Sequence, residues 1–357
     1  MWVFFILLFV PMFLQHVVIG NFDRNFERKN RAAMFVFFSI LTILVMFRHS
    51  SVGNDTSNYI SIFKQYSNVT WDVLGQMTTE AGFGYFNKII SLVSDNPQFF
   101  LAVTAVIVSS MIYPTYKRLC VDASLTILLF VTMSTFVMMF SGIRQMIAIG
   151  IGFISYEFTR RKKLIPFIIS VIIAIMFHTS AFMLLFMYPL FHAKITKKWL
   201  YFVVPVLAVV FVFNSSIFNF LSVIIARFTK YEGVTTSTGA YMMLILFVVF
   251  VVFAYIIPDE LNLDKETIGL RNFLLLSVVV QMFAPLHTLA MRLSYYYIIF
   301  IPLLMPKVIE FRSVRWSQVA VFARHIMVGF FFLYFFLNAY TGSNLHVFPY
   351  HFFWESV

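Results

Sequence analysis

Long apolar runs, each closed by a few charged or turn-forming residues, succeed one another along all 357 residues. They lie at about 2–19, 32–47, 97–113, 123–140, 145–158, 164–177, 180–193, 199–213, 241–257, 272–290, 293–309 and 325–340. The hydrocarbon core of a bilayer takes about 20 mostly apolar residues per helix. The expectation is therefore an all-α polytopic integral membrane protein with about 12 transmembrane helices. With 61% apolar and 11% charged residues, a water-soluble fold is excluded. The runs are too continuously apolar for the alternating strands of a transmembrane barrel. The opening MWVFFILLFVPMFLQHVVIG has neither a basic start nor a small-residue cleavage site, and it is read as a first span.

A formal charge of +11 raises the question of a polyanionic partner. Position answers it. Most of the 26 basic residues fall in alternate connections, at 24–31, 117–118, 160–163, 194–198, 265–271 and 307–324. Basic residues resist translocation, so these connections are assigned to the cytoplasm, both termini to the opposite side, and no nucleic acid is required. The sole cysteine, Cys120, has no partner for an intrachain disulfide and no neighbouring ligand set for zinc.

Two outer connections are long. Residues 48–96 carry Tyr59, Ile60, Ile62, Phe63 and Tyr66, then Phe86, Ile89, Ile90 and Val93, both at helical spacing. They predict short amphipathic helices lying on the membrane surface. Residues 214–240 hold an apolar helical piece followed by GVTTSTG, which predicts a mobile loop. The whole chain is read as one membrane domain without a soluble portion.

With sidedness drawn, the outer polar residues near span ends are Arg48, Asp55, Glu80, Arg144, His178 and Arg292. A charge near membrane depth costs roughly 2.5–3.5 kcal/mol on insertion scales, so it faces a wet cavity, a partner or a ligand. Three arginines delivered to one leaflet suit one anionic group, since guanidinium binds two phosphate oxygens together. Each residue also has a plainer role. Arg48 can mark the interface, Asp55 can cap a helix, and Glu80 can sit on a helix dipole. His178 in FHTSA can be a structural hydrogen-bonding residue. Arg292 precedes Tyr295 and Tyr296, which alone form an ordinary aromatic belt. Arg144 in SGIRQ interrupts a continuous apolar stretch, where a simple hairpin needs no Arg-Gln pair. Neither a phosphate-binding Gly-rich loop, nor a dinucleotide fingerprint, nor a metal-ligand motif is found, so no cofactor and no metal are expected. Three glycosylation sequons are taken as chance matches.

The ordered set Arg48, Gly53, Asp55, Tyr59; Glu80, Gly82, Phe83; Ser141 to Gln145; Phe177 to Ala181; Arg292, Tyr295, Tyr296; and Pro349-Tyr350 resembles the EpsG family of Wzy-type polysaccharide polymerases. The resemblance covers about 48–350. It departs at Ala81, where Pro is familiar, and at Asn54, where Thr is frequent. It implies a glycosyltransferase that moves a growing glycan from undecaprenyl diphosphate onto the terminal sugar of a lipid-linked repeat unit. The site would lie on the outer face of the bacterial cytoplasmic membrane, and the chemistry would need no metal. Partners would be those lipid-linked oligosaccharides and membrane lipid, with chain-length regulator and flippase proteins as candidates. On that basis Arg144, Arg292 and Arg48 are assigned to the diphosphate, Arg48 alternatively to an ion pair with Asp55. Glu80 or His178 is the candidate base for the acceptor hydroxyl. Asp55 is counted with the catalytic group, and Gln145, Tyr59, Tyr295, Tyr296 and Tyr350 as support. The rival functions are a flippase for lipid-linked oligosaccharide, a glycan ligase and a membrane acyltransferase.

Overall fold

The computed structural model describes residues 2–16, 22–78, 80–224, 239–286, 288–341 and 346–356. Regular structure among them is helical, and the extended pairings are two isolated bridges, Arg48 with Phe352 and Pro258 with Arg312. In chain order the helices are α1 (Trp2–His16), α2 (Phe22–Met46), α3 (Thr56–Ser67), α4 (Trp71–Met77), α5 (Ala81–Ser91), α6 (Pro97–Leu119), α7 (Ala123–Thr132), α8 (Ser134–Ser141) and α9 (Ile143–Arg160). They continue as α10 (Leu164–Phe177), α11 (Met187–His192), α12 (Lys197–Val212), α13 (Asn214–Ile224), α14 (Gly239–Ile256), α15 (Lys265–Gln281), α16 (Thr288–Ile298), α17 (Ile301–Glu310) and α18 (Ser317–Thr341). A 3-10 stretch, Thr179–Phe186, joins α10 to α11.

Four helical stretches are long and apolar enough to cross a bilayer: Phe26–Met46, Pro97–Leu119, Gly239–Ile256 and Val314–Thr341. Counting each bent pair as one span raises this to seven, the pairs being α7 with α8 (59°), α12 with α13 (72°) and α16 with α17 (45°). Four to seven such spans among the described residues stand where the sequence suggests about twelve. Run length alone overstates span length, because breaks inside the runs turn the backbone. The 14 residues of α10 rise only about 21 Å, short of the roughly 30 Å of hydrocarbon.

The chain forms two compact units, Met1–Leu185 with Phe322–Val357, and Phe186–Val321. In the first, α2, α6 and α7 meet through Phe37, Phe38, Tyr116 and Phe130, whose rings pack edge to face. The amphipathic helices predicted for 48–96 form as α3 and α5. The face of α3 that carries Tyr59, Phe63 and Tyr66 is buried in the protein itself, with Phe63 stacked 4.8 Å from Phe100 of α6 and Tyr59 5.8 Å from Phe83, whereas of the apolar residues predicted to pattern α5 only Ile90 is buried and Ile89 and Val93 stay exposed. Such rings gain as much from leaving water against protein as against lipid. In the second unit, Gly269 lets α15 close on Phe191 of α11. Asn272 donates to the carbonyls of Leu190 (2.8 Å) and Ala193 (2.9 Å), satisfying groups that α11 leaves open at its end. Helix α13 covers the apolar part of the second long connection, and residues 225–238 lie outside the described residues.

Candidate active site

The site is assembled by breaks in helices. Gly53 adopts φ +87°, a conformation costly for residues with a Cβ, and a Cβ there would lie 2.4 Å from the Phe140 carbonyl oxygen. That close approach lets the 52–56 turn dock on the end of α8. Thr56 Oγ1 donates to the Phe140 carbonyl (3.0 Å), and the Asp55 amide donates to Ser141 Oγ (3.3 Å). Gly142 then separates α8 from α9, so Arg144 enters on the first turn of a new helix. The short motifs around Gly53 and Ser141 are thus two halves of one contact.

Arg144 reaches Glu80, with Nη1 donating to Oε2 at 2.7 Å. Its guanidinium lies over the rings of Tyr59 (5.6 Å) and Phe83 (5.7 Å), an arrangement in which the ring faces stabilise positive charge. Glu80 precedes α5 and makes no side-chain cap on it. Its carboxylate instead faces the break after α10. Its Oε1 accepts from His178 Nδ1 (2.9 Å), from the Thr179 amide (3.1 Å) and from Thr179 Oγ1 (3.0 Å). Helix α5 gets this near because Gly82 has no side chain; a Cβ there would lie 3.0 Å from the Met176 carbonyl oxygen and carbon.

Burial alone would raise the Glu80 pKa. The His178 hydrogen bond and charge, the Arg144 charge and the Thr179 amide more than reverse this and hold it at about 2. Glu80 is therefore ionised at neutral pH, both oxygens are occupied, and it is a weak base. An ionised acceptor requires the proton on His178 Nδ1, which leaves Nε2 as the imidazole nitrogen for other proton transfers. His178 is 22% exposed and Arg144 34%, whereas Glu80 is 2% exposed. The outcome is a buried carboxylate that orients a half-buried imidazole and a half-buried guanidinium. Such a trio can accept a proton at one point and neutralise an anion at another.

The structure does not bring every sequence-selected residue into this cluster. Arg48 is 1% exposed; its Nη1 donates to the Val45 carbonyl and its Nε to Thr56 Oγ1 at 3.3 Å. It has no ion pair with Asp55 among the described residues, contrary to that expectation: Nη1 and Nε are turned to Val45 of α2 and Thr56 of α3, and Nη2 is buried without a hydrogen-bond partner. Asp55 stands at the start of α3 but caps it with no side-chain hydrogen bond, so the expected helix-capping role is not seen. Tyr350 is buried and donates to the Leu44 carbonyl (2.8 Å), a contact that holds the C-terminal segment on α2. Gln145 is buried on α9. Thr179 was not singled out by sequence, although its amide and hydroxyl supply two of the three bonds on Glu80 Oε1. The signal was its place directly after a histidine at a helix break.

Residues 31–352 match the sequence model of the EpsG family. The chain belongs to the EpsG family. That family is one of Wzy-type polymerases, which sets the coarse class of the chain: a membrane protein of polysaccharide biosynthesis. No curated protein and no solved structure matches it. Nearly the whole EpsG-family chain is covered, from within α2 to the Arg48 bridge partner Phe352. Arg292, Tyr295 and Tyr296 of this EpsG-family chain lie on α16 in the second unit, Arg292 exposed and both tyrosines buried.

Proposed function

We propose that the protein is a polysaccharide repeat-unit polymerase acting on the extracytoplasmic side of a bacterial cytoplasmic membrane. It transfers a growing glycan from undecaprenyl diphosphate to the terminal sugar of a lipid-linked repeat unit. The observation that carries this is the Glu80–His178–Arg144 cluster in a chain of the EpsG family.

The reaction needs few parts. The acceptor hydroxyl oxygen attacks the anomeric carbon of the donor sugar and forms the new glycosidic bond. The bond from that carbon to the diphosphate oxygen breaks, and the lipid diphosphate leaves with the electron pair. The hydroxyl proton passes to His178 Nε2, because Nδ1 is committed to Glu80. The imidazolium that forms is stabilised by the adjacent carboxylate. Arg144 keeps Nη1 on Glu80 and offers its exposed edge to the departing phosphates. Glu80 thus acts as the positioning residue for both partners, in preference to being the base itself.

The test is elongation by the purified full-length protein in lipid nanodiscs, given a lipid-diphosphate-linked repeat unit and no other acceptor. A ladder of longer glycans is expected, and His178→Ala should abolish it. Labelled lipid crossing vesicles with no elongation would replace the proposal with a flippase. Transfer only to an added foreign acceptor would replace it with a ligase.

A further inference from the structure

A groove of ≈ 510 Å³ lies between α12 and α14, lined by residues of the second unit. Leu200, Val204, Pro205 and Ile256 make its walls apolar. Lys197 lines it at the start of α12, and Tyr201 and Trp316 add aromatic rings. The eight steps from Lys197 to Pro205 rise about 12 Å along the helix, so charge and hydrocarbon are segregated along the groove. That is the pattern of an amphiphile.

Two further observations narrow the occupant. Helix α12 has no buried residue, and Tyr201 is 80% exposed, so protein does not cover this apolar face. Lys197 is exposed, and it stands beside the likewise exposed Lys194 and Lys198. Arg315 adds a fourth cation 5.1 Å from the Trp316 ring. A zwitterionic head group would bring its ammonium into this field, while a net anionic one would not. Aromatic rings at such a mouth are at home at the level of lipid head groups.

We propose that this groove binds a single anionic phospholipid from the leaflet facing the basic connections. Its phosphate pairs with Lys197, and an acyl chain lies along Leu200, Val204, Pro205 and Ile256. The site is independent of the reaction proposed above. It seats a helix whose own packing is incomplete.

The full-length protein is titrated with phosphatidylglycerol and, separately, phosphatidylcholine, and bound lipid is counted by native mass spectrometry. Phosphatidylglycerol should be retained in preference to phosphatidylcholine. Lys197→Glu should weaken phosphatidylglycerol by at least about fivefold, the effect of one lysine at an anionic surface, and erase the preference. Val204→Trp fills the groove and should remove the adduct of either lipid. Lys197 is exposed, so its variant should melt as the wild type does, which keeps the test valid if Val204→Trp fails to fold. Equal retention of the two lipids by the wild type overturns the proposal, as does unchanged phosphatidylglycerol retention in Lys197→Glu. Full displacement of phosphatidylglycerol by equimolar undecaprenyl phosphate also overturns it, by giving the groove to a prenyl chain.

Discussion

Glu80 concentrates four hydrogen bonds on two oxygens, and its charge state sets what its neighbours do. Its pKa of about 2 in the fold compares with roughly 4.3 for a free glutamate. A depressed pKa adds stability that is complete above the unfolded value and disappears as pH falls through the folded one. The difference corresponds to on the order of 3 kcal/mol. Glu80→Gln lacks this contribution at every pH. The wild type should therefore out-melt Glu80→Gln by most near neutrality, and the gap should close between about pH 4 and pH 2. A gap independent of pH would mean that the carboxylate charge is not what holds the break after α10. Arg144→Lys keeps the charge but loses the planar fork that serves Glu80 and a ligand at once. Polymer output in membranes at matched expression should fall by about a hundredfold, with single lipid-linked repeats accumulating. Normal chain lengths from that variant would remove Arg144 from the chemistry.

Helix ends, more than helix bodies, decide this molecule. Glu80, Arg144 and His178 each sit within two residues of a helix terminus, where backbone direction changes and side chains from separate segments can converge. The glycines nearby differ in what they permit. An alanine Cβ at Gly82 would meet the backbone carbonyl of Met176 at 3.0 Å, and a carbonyl cannot step aside without moving α10. At Gly84 the same atom would meet Thr78 Cγ2 at 2.7 Å and the Leu74 side chain, which can rotate. Gly82→Ala should therefore lower the melting temperature more than Gly84→Ala, by the equivalent of about 1–3 kcal/mol, and should also lose elongation. Equal effects of the two would show that α5 and α10 have slack between them. The amphipathic periodicity of α3 was legible in the sequence because Tyr59, Phe63 and Tyr66 recur at helical spacing. Which surface buries those residues was not, since lipid and protein reward an apolar stripe alike.

Across the whole chain, charge placement predicts that the 48–96 connection and the 259–264 turn face opposite sides of the membrane. Ser51 is exposed in the first and Leu261 is 93% exposed in the second. Cys120 is buried and adds little background to thiol labelling. A membrane-impermeant maleimide should label Ser51→Cys from outside intact cells, and Leu261→Cys only after permeabilisation. Labelling of both from one side would reject the sidedness on which the extracytoplasmic site depends.

Sequence alone determined that this chain is a helical membrane protein, because hydropathy accumulates residue by residue and needs no knowledge of neighbours. It also determined the family, through short motifs in a fixed order from Arg48 to Tyr350. Only the tertiary structure decided which polar residues meet. Arg48 and Arg144 are equally conspicuous as charges at the ends of apolar runs, yet one is buried against Val45 and Thr56 and the other is held on Glu80 beside His178. Hydrogen bonds are directional and short, so their partners are fixed by where helix breaks bring distant segments, and no local pattern encodes that.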